Sequence, residues 1–356
     1  MDSRAGANAA IRWMMLVLLT ACRLSAAVIE GPSAESPYRQ PQVAVAGDRV
    51  DVTFGSGNAL YFSQSTDAGR TYSAPVRVAD SGVLSLGMHR GPRIVLTPDA
   101  IVISAVYGDQ GKGADGDLLA FRSTDAGRTW SKGVRVNDRP GAAREGLHAM
   151  TADGNFLYSV WLDDRAGGKE LYGASSKDGG TTWSPNRLIY HSPDGHICEC
   201  CHPSVAVRGG GKEIYAMFRN SLGGSRDFYL AATHDGGVTF HVSKVGEGTW
   251  HLNACPMDGG ALTLDAKGPV TVWRRESTVY LDRAGEPESE IGAGKNPAMA
   301  GGKVLWSAPD GLREWKSGAS SRLLDPNGAY PAVAAGGGHA AAAWESKGRI
   351  VIEPLN

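Results

Sequence analysis

The chain has 356 residues, with Lys+Arg 36 against Asp+Glu 37 for a net charge of −1; 42% of it is hydrophobic and 48 residues are glycine. No basic block is present to follow phosphates, which excludes nucleic acid as a partner. Glycine at about twice its usual share, without a collagen period and beside enough apolar residues for a core, predicts an ordered, turn-rich, all-β protein.

In chain order, the first element is a targeting segment. Arg4 and Arg12 precede a short apolar run from Trp13 to Leu19, too short to cross a bilayer as a mature helix. Leu19-Thr20-Ala21-Cys22 follows and resembles a bacterial lipobox, in which the cysteine becomes the lipidated N-terminus. Cleavage after Ser25-Ala26-Ala27 is the alternative. Residues 1–27 are therefore expected to be a signal peptide with Cys22 as the lipidation site, and 28–356 the mature domain. The expected location is the outer membrane or cell surface as a lipoprotein, otherwise the periplasm or the medium. Membrane contact is expected only through the N-terminal lipid.

An octapeptide then occurs four times. Ser65-Thr66-Asp67-Ala68-Gly69-Arg70-Thr71-Tyr72 is matched by segments starting at Ser123, Ser176 and Thr233, whose acidic residues are Asp125, Asp178 and Asp235. Each copy has the chemistry of a turn: Asp accepts from backbone amides of its own loop, Gly takes positive φ, and Thr closes the loop. This is the Asp box, S-x-D-x-G-x-T-W, and its aspartates are expected to be structural. A coarser repeat marks seven unit starts, at Pro41, Pro92, His148, Pro203, Gly260, Pro297 and Pro331. Short strands at even spacing with glycine-rich turns predict a single β-propeller. Seven blades is the preferred count. Six blades plus a closing strand is the alternative, because the last two units are short. The stretch Val28-Ile29-Glu30 is expected to supply the fourth strand of the C-terminal unit and close the ring.

Asp boxes on a propeller, preceded by Tyr38-Arg39-Gln40-Pro41, resemble the sialidase (neuraminidase) superfamily. The resemblance implies a glycoside hydrolase fold in which three arginines grip a sugar carboxylate, a tyrosine attacks the anomeric carbon, a glutamate takes its proton and an aspartate serves as acid. Carried over by position, it implies substrate-binding roles for Arg39, Arg219 and Arg274 or Arg275, and catalytic roles for Tyr330 and Glu199. The match is incomplete. Val52-Thr53-Phe54-Gly55-Ser56-Gly57 offers no aspartate, and the usual glutamate position falls near His202-Pro203, with Glu199 displaced. Arg165, after Asp163-Asp164, is expected to form a structural ion pair. The chain also resembles exported bacterial Asp-box proteins that carry C-E-C-C before one blade and C-P before the next.

That second resemblance rests on Cys198-Glu199-Cys200-Cys201-His202 and on Cys255-Pro256. Innermost strands of a propeller start around one rim, so His89, His148, the cysteine run, Cys255, Asn296, Tyr330 and Arg39 are expected to face one mouth. In an exported protein the cysteines are first expected in disulfides, with Cys255 bridged to Cys198, Cys200 or Cys201. The competing reading is a soft metal site for copper or zinc built from His89, His148, Cys198, Cys200, Cys201, His202 and Cys255. No cofactor is otherwise required. Two functions follow: an exo-α-sialidase-like glycosidase acting on an anionic sugar, or a non-hydrolytic propeller binding a glycan, small molecule or metal at the Cys/His rim.

Overall fold

The computed structural model describes residues 26–111 and 113–355, and no described residue is helical. The strands form seven antiparallel sheets. Their innermost strands are Arg39–Ala46, Arg93–Leu96, His148–Asp153, Ser204–Arg208, Ala261–Leu264, Lys295–Ala300 and Gly328–Gly336, here the starts of blades I to VII. Each packs beside the next, and Arg39–Ala46 packs beside Gly328–Gly336, which closes a ring around one channel. The fold is a seven-bladed, sialidase-like β-propeller.

Ring closure uses both ends of the described chain. Ala27–Ile29 pairs antiparallel with Arg349–Leu355, Ala27 opposite Ile352 and Ile29 opposite Ile350, as the outermost strand of blade VII. The short last units are complete blades. They are short because blade VI reaches its fourth strand through 317–321 alone and blade VII takes its fourth strand from Ala27–Ile29, whereas the same connection in blade I occupies 66–75 and holds an Asp box.

No single core fills this molecule; each seam between neighbouring blades has its own apolar cluster. Blades VII and I, for example, bury Ile350, Ile352 and Ile29 against Val52, Phe54 and Tyr38. Tyr38 of the arginine-bearing motif thus belongs to the core, its ring 4.4 Å from that of Phe54.

The Asp boxes behave as turns. Asp67 accepts from the amides of Arg70 and Thr71 at 3.0 and 2.9 Å and from the Thr71 hydroxyl at 2.6 Å, and Ser65 donates to it at 2.7 Å. The Thr71 hydroxyl, its amide and the Ser65 hydroxyl hold the Asp67 carboxyl well below its ordinary value. Asp125, Asp178 and Asp235 repeat the arrangement. The box glycines also join blades: Gly127 has φ +82°, and a Cβ there would run into the Phe62 ring of blade I. Arg165 pairs with Asp163 at 2.8 Å and Asp138 at 2.9 Å, the structural role expected of it.

Candidate functional site at the channel mouth

The site begins with a backbone irregularity that three blades share. The innermost strands of blades I, VI and VII each break register just before a proline, between Arg39 and Gln42, Lys295 and Ala298, and Ala329 and Ala332. Proline lacks the N–H that a ladder needs, so a bulge is the fitting solution there. The residue ahead of each proline takes positive φ: Gln40 at 54°, Asn296 at 55° and Tyr330 at 52°. His89, ahead of blade II, has φ 66°. For non-glycine residues this conformation costs of order 1–3 kcal/mol and concentrates at functional sites. Here it brings four polar side chains together around the channel.

His89 is the hub. Its Nε2–H donates to Asn296 Oδ1 at 2.8 Å, because a carbonyl oxygen can only accept. Its ring stacks on His202 with centroids 4.6 Å apart and meets Tyr330 edge-on at 5.2 Å. Gln40, His89, Arg93, His202 and Tyr330 line a cavity of about 240 Å³, with backbone and small side chains of blades III to VII as its walls. His202 Nδ1 is buried and has no hydrogen-bond partner among the described residues. Gly259 allows this placement, since a Cβ on it would collide with the His202 imidazole.

Arg93 supplies the positive charge. Its guanidinium donates to the carbonyls of Gly91, Pro92 and His89 at 3.3, 2.8 and 2.9 Å. Among the described residues no carboxylate forms a salt bridge with it. Burial lowers its pKa to about 10. Burial also lowers His89 and takes His202 well below the ordinary imidazole value, and the Arg93 charge adds to both effects. The mouth is therefore a pair of buried imidazoles beside a guanidinium that, among the described residues, has no salt-bridge partner.

The arginines implied by the sialidase resemblance are placed elsewhere. Arg219 is 1% exposed; it donates to Asp258 Oδ1 at 3.1 Å and to the carbonyls of Arg226 and Arg274, under the rings of Phe228 and Trp250. Arg274 Nε donates to Asp258 Oδ2 at 2.7 Å. Arg275 pairs with Glu288, 2.5 Å away. Arg39 lies 3.8 Å from Glu345 and does not line the cavity. Glu199 is exposed and Tyr330 borders the cavity, so the structure does not bring the two together there.

The seven-residue Cys/His set does not form one group, and only His89 and His202 line the cavity. Cys198, Cys200 and Cys201 have their sulfurs 3.6–3.9 Å apart, outside the cavity lining. The neighbouring Cys200 thiol, with burial, pushes Cys198 up to about 12. Cys255 is exposed and lies outside this group, and all four described cysteines are free thiols. His148 is fully buried beside Ser104, with Nε2 3.0 Å from Oγ, beneath the mouth. Cys22 lies outside the described residues.

Sequence reasoning missed Asp258, Arg93 and Gln40 as members of the site. The signals were present: Asp258 lies three positions after Cys255, Arg93 directly follows the blade II proline, and Gln40 precedes that of blade I.

Residues 93–253, blades II to IV, match the family model described as a BNR repeat-like domain. Among solved structures it is similar to an α-L-arabinanase of Penicillium chrysogenum in complex with arabinobiose. The TM-score is 0.57 at 12% identity, over 93% of this chain and 97% of that one. An α-L-arabinofuranosidase of Fusarium graminearum, also with arabinobiose, gives 0.52 at 11% over 93% and 97%. A leech intramolecular trans-sialidase gives 0.53 at 10% over 91% and 68%. At these identities the likeness is one of fold. No curated protein sequence matches the chain.

Proposed function

We propose that this chain is a non-hydrolytic, exported propeller that binds a small acidic ligand, an acidic monosaccharide or the acidic end of a glycan, at the channel mouth. The observation that carries this reading is the split between the arginines. Arg219 and Arg274 share the Asp258 carboxylate outside the cavity lining, whereas Arg93 borders the cavity and, among the described residues, forms no salt bridge. A guanidinium held by three carbonyls is preorganised for a carboxylate, and Gln40, His202 and Tyr330 supply hydrogen bonds and aromatic surface for a sugar ring. The cavity volume suits one sugar unit. Tyr330 is what supports the hydrolytic alternative, and among the described residues no carboxylate hydrogen-bonds to its hydroxyl to activate it.

Export through the lipobox, with Cys22 as the only membrane attachment, belongs to the same reading. Processing before Cys22 leaves Ala27 in the ring-closing strand, whereas cleavage after Ala27 removes a residue paired with Ile352. The binding test is calorimetric titration of the mature protein with N-acetylneuraminic acid and with galacturonic acid, beside neutral galactose. Saturable binding of an acid but not of galactose is expected, weakened at least about tenfold in Arg93→Met and in the less invasive Tyr330→Phe. No binding of either acid, or unchanged binding in both variants while their melting temperatures stay near the parent's, would refute it.

A further inference from the structure

We infer that Cys198, Cys200 and Cys201 form a site for a soft metal ion, Cu(I) or Zn(II), separate from the sugar-sized cavity and independent of what that cavity binds. The three sulfur separations are 3.7, 3.6 and 3.9 Å. Sulfurs bound about 2.3 Å from a tetrahedral ion stand about 3.8 Å apart, so the triangle already has the size of one face of a metal-thiolate tetrahedron. Thiolate ligands select Cu(I) and Zn among the available ions. Among the described residues no fourth His, Cys, Asp or Glu ligand atom joins the group. That leaves either a three-coordinate ion, which Cu(I) accepts readily, or Zn(II) with a water in the fourth position.

The site is built into the fold. The Cys198 amide donates to the Arg219 carbonyl at 3.0 Å, and Ile197 bridges to Asn220, which fixes the cysteine run against the end of the second strand of blade IV. Cys198 and Cys201 are each 2% exposed, while Cys200 is partly open and gives an ion its route in. Binding requires no redox step: the ion replaces the thiol protons, which pass to solvent.

The test uses the whole mature protein, reduced and handled anaerobically. It is titrated with Cu(I) against a competing chelator and, separately, with Zn(II), with bound metal counted by elemental analysis and the ligand shell read by X-ray absorption. One ion per chain with a three-sulfur shell is expected. Cu(I) without a light-atom ligand, or Zn(II) with one, tells the two ions apart. Cys198→Ser is expected to weaken binding at least about tenfold, and Cys255→Ser to leave it unchanged. The proposal fails if neither ion binds, or if a Cys198→Ser/Cys201→Ser double variant with the parent's melting temperature binds as well as the parent. Sugar binding at the mouth is measured apart from metal, so either result can fail without the other.

Discussion

Arg219 and Arg274 meet across one carboxylate: Asp258 accepts from the first at 3.1 Å and from the second at 2.7 Å, with its side chain 1% exposed. The Asn296 amide also approaches Asp258, at 3.4 Å, while the Asn296 side chain holds His89. The ion pairs of blades IV and V are thus joined to the imidazole at the mouth through one residue of blade VI. Both guanidiniums serve the fold, and the His89 ring is oriented as a consequence.

Removing that carboxylate is expected to be costly. Asp258→Ala leaves two guanidiniums without a counter-ion, and breaking a buried pair costs about 3–5 kcal/mol. Chemical denaturation of Asp258→Ala against the parent checks this. A loss below about 1 kcal/mol would show that the cluster is not the tie described here.

The buried histidines around and beneath the mouth make the fold acid-sensitive. Burial lowers His148 to about 3, and burial also lowers His89 and His202. In each case the unfolded chain binds the proton first, so the stabilisation is complete above the unfolded value near 6.5 and is lost as pH falls towards the folded value. Each such histidine contributes a slope approaching about 1.4 kcal/mol per pH unit within its window. Stability is expected to drop between pH 6.5 and 5, and His148→Asn to drop less steeply. Equal profiles for parent and variant would contradict the assignment for His148.

Much of the fold was legible because its signals are local. An Asp box bonds within its own eight residues, so Asp67 and its three counterparts were readable as turns, and Pro41, Pro297 and Pro331 mark unit starts because a proline resets the ladder wherever it falls. The strand at Val28 was readable from the missing fourth strand of the last unit. Pairing across blades was not. Arg219 and Arg274 have the residue type and strand-end position of ligand arginines, yet their partner lies 39 and 16 positions away and becomes a neighbour only once blades IV and V pack together. The Cys/His rim was read as one set for the same reason: spacing in sequence brings Cys201 and His202 together, but successive side chains point apart, one towards the thiols and the other into the channel.

Binding without hydrolysis is tested most directly by incubating the mature protein with a fluorogenic aryl sialoside, whose leaving group needs little protonation. Release of the fluorophore at the rate of buffer alone is predicted. Turnover above that rate, abolished in Tyr330→Phe and retained in Glu199→Gln, would contradict the account and make Tyr330 a nucleophile.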